Sequence, residues 1–248
     1  MSTFSVTTTA SGTLDSLKIS LQPKYASTQS PRPAVLYCHA AGSYGIELID
    51  PYAGQGVFMQ RIAALGHNCY SAAHAGPQAW GNAACLSEMT ASYNTLQALP
   101  GTKPGKVALI GASMGGLSAM NWAAANPTKV ACIVMTIPVI NVTDIKGNDR
   151  LGYGAYINSA YGGSWTEGQY GANHNPQTMA SAGKLNGIPM LIFYGLTDQL
   201  CMPAEALTLK AKLGANVTLV PLQGGHIIET YDEVNHDMIV DFIETHAA

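Results

Sequence analysis

The sequence predicts an α/β fold, a doubly wound domain built on a mostly parallel sheet. Three observations lead there. Apolar runs of strand length alternate with helix-like runs along nearly the whole chain. Apolar residues make up 47% of the composition, enough to cover both faces of such a sheet. The chain has 248 residues and shows neither an internal repeat nor a linker, so 1–248 is expected to be one domain.

The elements follow in order. Residues 3–9 and 12–22 alternate in character and predict an antiparallel hairpin at a sheet edge. The apolar run 33–39 predicts a central strand, 51–65 a helix and 68–73 the next strand. Residues 82–99 predict a helix, with Leu86, Met89, Tyr93, Leu96 and Leu99 near helical spacing. A strand at 106–110 enters a glycine-rich turn, and a helix then runs until Pro127 stops it. Strand 131–137 is followed by a long insertion, then strand 188–194, helix 202–213, strand 216–221 and a last helix over about 230–245. Alternation of this kind implies parallel pairing through right-handed crossovers. The insertion, 141–186, is rich in Gly, Asn and Ser and carries Tyr153, Tyr156, Tyr161, Trp165 and Tyr170. A structureless loop of that length does not suit a compact domain, so two or three short helices are expected there, forming a small cap or lid.

The most informative stretch is Gly111-Ala112-Ser113-Met114-Gly115. It is a G-x-S-x-G turn between a strand and a helix, the setting in which a serine is exposed as a nucleophile on a sharp bend. Small neighbours let the chain pack closely around it. Two later loops supply the groups that activate such a serine. Asp198 lies just past strand 188–194 and His226 just past strand 216–221. A hydroxyl is a poor nucleophile near neutral pH. A histidine takes its proton, and an aspartate fixes the histidine's tautomer. All three side chains would lie at the carboxyl edge of a parallel sheet, where open α/β folds place their sites. Asp144, after strand 131–137, is the rival acid.

The order Ser113, Asp198, His226, with these flanks, resembles the α/β-hydrolase fold, closest to its compact carboxylesterase, lipase and dienelactone-hydrolase-like members. The resemblance covers the chain from about residue 33 to the final helix. A further matching segment is Cys38-His39-Ala40-Ala41-Gly42, similar to the family's His-Gly-x-Gly loop but with alanine after the histidine. The resemblance implies an oxyanion hole made by the backbone N–H of Met114 and that of Ala40 or Ala41, with Ala40 favoured. It also implies a serine ester hydrolase working through an acyl-enzyme on Ser113. Ala41, Trp80, Tyr153, Tyr156 and Trp165 are candidates to line the substrate pocket, and the expected substrate is a small, uncharged, apolar ester. A thioesterase, an acyltransferase, a peptidase with the same three residues, or a non-catalytic binding module of the same fold remain as alternatives.

Other classes lack support. Charged residues are 11%, against about a quarter in ordinary domains, and the net charge of −3 leaves no basic footprint for nucleic acid. The longest apolar stretch, 130–140, is too short to span a bilayer. Residues 1–9 show no basic start and no apolar core of a signal peptide. A cytoplasmic protein is the default expectation, with a secreted or virion-associated one left open. No H-E-x-x-H spacing and no phosphate-binding loop occur, so no metal, nucleotide or redox cofactor is implied. Of the cysteines, Cys69 and Cys85 are the one pair worth testing as a disulfide.

Overall fold

The computed structural model describes residues 4–9, 18–24, 28–48 and 55–247. The strands are β1 (Phe4–Thr9), β2 (Lys18–Pro23), β3 (Arg32–Cys38), β4 (Cys69–Ala72), β5 (Thr102–Ala112), β6 (Val130–Thr136), β7 (Met190–Gly195) and β8 (Val217–Leu222). They form one eight-stranded sheet in the order β1-β2-β4-β3-β5-β6-β7-β8. β1 and β2 pair antiparallel at one edge, β2 runs antiparallel to β4, and every later pairing is parallel. The edge hairpin expected from the sequence is therefore present. Residues 10–17, of which 12–17 are expected as strand, lie outside the described residues, as does the stretch 51–54 expected to begin a helix.

The helices are α1 (Gln55–Ala64), α2 (Ala83–Gln97), α3 (Met114–Ala125), α4 (Val142–Gly147), α5 (Gly154–Ala160), α6 (Ala172–His174), α7 (Pro176–Ser181), α8 (Pro203–Leu213) and α9 (His236–Ala247). Side chains alternate along each strand, so each face of the sheet collects its own core. On one face Val35, Tyr37, Ile110, Val134 and Phe193 meet Phe58, Met59 and Ile62 of α1 and Ile239 and Ile243 of α9. On the other, Leu36, Leu109, Ile133 and Ile192 meet Met89 and Leu96 of α2, Met120 and Trp122 of α3, and Leu209 of α8. Each such buried side chain contributes about 1.5–3 kcal/mol relative to exposure.

α3 is buried on every side from Met114 to Ala123, because the sheet lies beneath it and other helices flank it. That is why its first turn carries Gly115 and Gly116. A Cβ on Gly115 would stand 2.0 Å from the carbonyl oxygen of Cys38, and one on Gly111 would stand 2.5 Å from the backbone of Gly115. The helix can approach the end of β3 so closely only without side chains there.

Residues 141–186 carry α4 to α7 and a π-turn, Glu167–Gly171. This segment builds a third apolar cluster, in which Ile145, Ile157, Tyr161 and Trp165 pack with Trp80, Met114 and Leu117. Glu167 holds it together. Its carboxylate accepts hydrogen bonds from the hydroxyls of Thr143 and Thr178 and from Asn175 Nδ2. Burial alone would raise this carboxyl's pKa, but the three donors outweigh it and the net shift is downward. A lowered folded-state value means the contribution is present above the ordinary carboxylate range and is lost as pH falls through the folded value. As pH falls below the ordinary carboxylate range, amides around Thr143 and Thr178 are expected to lose hydrogen-exchange protection in the wild type, whereas Glu167→Gln shows weaker protection with little pH dependence there. An equal acid response in the variant would contradict this role.

Two expectations are corrected. The last helix does not begin near Thr230. Residues Ile228–Glu233 form a 3₁₀ turn instead, and α9 starts at His236. Thr230 Oγ1 donates to Gly225 O, and Glu233 accepts from the N–H groups of Gln223 and Gly224, so this turn is drawn back to brace the preceding loop. Asn235 Oδ1 then accepts from Met238 N–H and opens the helix. Cys69 and Cys85 are not a disulfide. Both are free and buried in cores on opposite faces of the sheet.

Candidate active site

Ser113 sits between β5 and α3 at φ 49°, ψ −117°, a region that costs a non-glycine residue about 1–3 kcal/mol. Three backbone hydrogen bonds hold the bend: Ser113 N–H to Thr136 O, and the N–H groups of Gly116 and Val139 to Ser113 O, each 3.0 Å. The bend presents Ser113 Oγ 2.8 Å from Nε2 of His226. Nδ1 of the same ring lies 2.9 Å from Asp198 Oδ2. The other oxygen, Oδ1, accepts the N–H groups of Leu200 and Cys201, both at 2.8 Å. Asp198 is thus fully sheltered and fixed, while His226 is 15% exposed at the rim. Three residues distant in sequence meet at the carboxyl ends of β5, β7 and β8. Asp144 does not join them: on α4 it pairs with Arg150.

The Cys201 thiol lies beside this chain of hydrogen bonds. Burial, and then the charge of Asp198, push its pKa well above the ordinary value. Ligating atoms of Asp198, Cys201 and His226 fall within 4.8 Å of one another, the one such grouping among the described residues. Both carboxylate oxygens and the imidazole are already engaged in hydrogen bonds, and the thiol is held protonated. The grouping therefore reads as a proton-transfer chain rather than a metal cage.

The loop after β3 is rigidly ordered. His39 places Nδ1 2.8 Å from Ala40 O and Nε2 2.7 Å from Ala73 O, and its ring stacks on His74. Burial, and then the neighbouring His39, lower the His74 pKa to about 3. The backbone N–H of Ala40, favoured from sequence as an oxyanion donor, is taken: it donates to Glu47 Oε2 at 3.0 Å. Ser43 N–H and His39 occupy Ala40 O, and Gly42 N–H donates to Pro77 O. In a trans peptide the N–H of Ala41 points away from Ala40 O, and it donates to no partner among the described residues. Of the two candidate donors, Ala41 N–H is the one left without a partner among the described residues. Met114 N–H, in the first turn of α3, is likewise unpaired within the helix.

A cavity of about 220 Å³ opens over Ser113, lined by Ala40, Ala41, Glu47, Ile137, Tyr153, His226, Ile227, Ile228 and Tyr231. Ala41 and Tyr153 take the wall positions expected of them. Trp80 and Trp165 do not: both are buried in the third apolar cluster, Trp80 with its ring 5.2 Å from that of Tyr153. Tyr156 packs on the outer side of Tyr153 and is half exposed. Glu47, Ile137, Ile227, Ile228 and Tyr231 were not singled out from sequence. Ile137 adopts φ 41°, rare for a β-branched residue, as β6 turns sharply beside the nucleophile. The adjacent Ile227 and Ile228, both more than half exposed after a Gly-Gly-His turn, were the available signal.

A model of the prolyl oligopeptidase family matches residues 63–247. The chain belongs to that family. It is an α/β-hydrolase-fold serine hydrolase, and its sheet order and flanking helices agree. Among solved structures it is similar to fluorophosphonate-binding serine hydrolase F of Staphylococcus aureus, with TM-score 0.75, 14% identity, and 97% of this chain and 98% of that one covered. It is similar also to S-formylglutathione hydrolase of Agrobacterium tumefaciens, with TM-score 0.73, 13% identity and coverage of 100% and 97%. Pyrococcus horikoshii acylaminoacyl peptidase gives TM-score 0.72 at 14% identity, with 100% of this chain covering 42% of that one. The chain spans 36–42% of the length of the larger peptidase chains it resembles. At these identities the likeness concerns the fold. No curated protein matches the sequence. No helix among the described residues is long and apolar enough to cross a membrane.

Proposed function

We propose that this member of the prolyl oligopeptidase family hydrolyses carboxylic esters of small molecules through an acyl-enzyme on Ser113. The observation that carries the proposal is the continuous chain Ser113 Oγ, His226, Asp198 on a strained bend, at 2.8 and 2.9 Å. His226 accepts the serine proton as Oγ bonds to the ester carbonyl carbon. The carbonyl oxygen becomes an oxyanion facing the N–H groups of Met114 and Ala41. Loss of one such donor typically costs about 3–4 kcal/mol in the barrier. The intermediate collapses, the C–O bond to the alcohol breaks, and His226 returns the proton to the departing oxygen. Water then repeats the sequence on the acyl-serine, releasing the acid and restoring Ser113.

An ester is favoured over a peptide because Ile137, Ile227 and Ile228 give the cavity an apolar wall around a small volume. The family match keeps the peptidase reading as the second one. The test is a panel of p-nitrophenyl esters from acetyl to palmitoyl beside acyl-peptide anilides, with fluorophosphonate labelling followed by peptide mapping. Expected results are turnover of short and medium acyl esters, weak or no anilide cleavage, and an adduct on Ser113. Anilide turnover rivalling the best ester would move the assignment to the peptidase side. An unlabelled Ser113 would favour a binding module.

A further inference from the structure

The cavity over Ser113 contains a feature that an apolar ester does not explain. Glu47, in the 3₁₀ turn Gly45–Leu48 after β3, lines it. One carboxylate oxygen, Oε2, is pinned from two sides, by the Tyr37 hydroxyl at 2.8 Å and by Ala40 N–H at 3.0 Å. Tyr37 is fully buried on β3, so the anchor is rigid. The second oxygen, Oε1, accepts no hydrogen bond among the described residues, and Glu47 forms no ion pair there. No lysine or arginine lines the cavity.

We infer that Glu47 makes this pocket selective for esters that carry a cationic, ammonium-type group. The inference rests on the ester-hydrolase reading of Ser113 and departs from the uncharged substrate expected from the apolar, aromatic pocket candidates in the sequence. A half-sheltered carboxylate with one free oxygen is incompletely compensated, and a cation of the substrate completes its pairing. Its two hydrogen-bond donors fix its position, so little ordering cost opposes the pairing. Its field reaches the cavity's surroundings. Burial raises the phenol pKa values of Tyr37 and Tyr231, and the charge of Glu47 is the next largest cause in both. Asp198 does not line the cavity, and its Oδ2 is engaged by His226. An anionic group on the substrate would meet Glu47 with nothing to offset the repulsion.

Two isosteric ester pairs test this on the intact chain. One sets acetylcholine against its uncharged isostere 3,3-dimethylbutyl acetate, placing the cation on the leaving group. The other sets p-nitrophenyl trimethylammoniobutyrate against its tert-butyl isostere, placing it on the acyl group. In at least one pair, kcat/KM for the cationic member is expected to exceed that of its isostere by about tenfold at low salt. The ratio should shrink with added salt and fall to about one in Glu47→Gln. That variant keeps an acceptor for Tyr37 and Ala40, and any general loss of rate cancels within each pair. If the variant does not fold, the wild-type ratio measured against salt decides. Ratios near or below one in both pairs, or a preference untouched by Glu47→Gln and by salt, overturn the inference while leaving ester hydrolysis at Ser113 intact. Absence of both turnover and fluorophosphonate labelling overturns the two together.

Discussion

Ser113→Ala is expected to lower kcat for the best ester by roughly 10⁴–10⁶-fold, with KM changed little and the fold retained. Ser113 Oγ is the hydroxyl that stands 2.8 Å from His226 Nε2, and its carbon framework survives the substitution. The bend is held by backbone hydrogen bonds donated by Gly116 and Val139 and one accepted by Thr136, not by the hydroxyl. The structural loss is therefore one hydrogen bond, about 1 kcal/mol, which moves the melting temperature by a few degrees. Residual turnover above the water reaction would come from the N–H groups of Met114 and Ala41, which the substitution leaves in place. Ester hydrolysis, burst kinetics and thermal melting measure the three parts separately. A variant with near-normal turnover would show that the acyl group is carried elsewhere. One that fails to fold would show that the hydroxyl stabilises the bend more than the backbone does.

How far such a site can be read from sequence depends on whether its parts obey a local rule. Ser113 does: the glycines around it are demanded because a Cβ on Gly115 or Gly111 would stand only 2.0 or 2.5 Å from backbone atoms, and a strand and a helix flank it. Asp198 and His226 follow strands whose apolar runs are plain, so chain order alone places them at one edge of the sheet. Strand and helix order was legible for the same reason, since burial imposes a period of two or of 3.6 on the residues. The cavity wall obeys no such rule. Glu47, Ile137 and Tyr231 come from separate connections, and loops carry no periodicity from which a facing direction can be read. Trp80 lies beyond a strand end, as a wall residue would, yet at φ 47° its ring is buried in the third apolar cluster. Ala40 was favoured as a donor because the resemblance points to this loop. What removes it is a carboxylate seven residues away that pattern alone does not bring near. The start of α9 was misplaced because Thr230 and Glu233 are recruited to brace the His226 loop, a tertiary demand that overrides helical spacing.

The same bracing makes Asp198 the second position of large effect. Asp198→Asn is expected to reduce kcat by about 10⁴-fold while leaving the geometry nearly unchanged. The asparagine carbonyl can still accept from Leu200 and Cys201 N–H, the two bonds that fix the side chain. Its NH₂ group would then face His226 Nδ1, where the carboxylate now accepts a proton. Two donors cannot share that contact, so Nδ1 gives up its hydrogen and the ring carries it on Nε2. Nε2 would then donate toward Ser113 Oγ instead of accepting from it, and deprotonation of the serine is blocked. Imidazole proton resonances would report the tautomer directly, and turnover would report its consequence. Asp144→Asn serves as the control: its partner is Arg150, not His226, so kcat/KM should stay within a few-fold of wild type. If instead Asp144→Asn were the damaging change and Asp198→Asn the mild one, the acid that serves His226 in solution would be the one after β6, and the arrangement seen at β7 would not be the working one. Combining Asp198→Asn with Ser113→Ala adds a final check. Residues acting on one proton transfer lose their separate effects once either is gone, so the double variant should be no slower than Ser113→Ala alone.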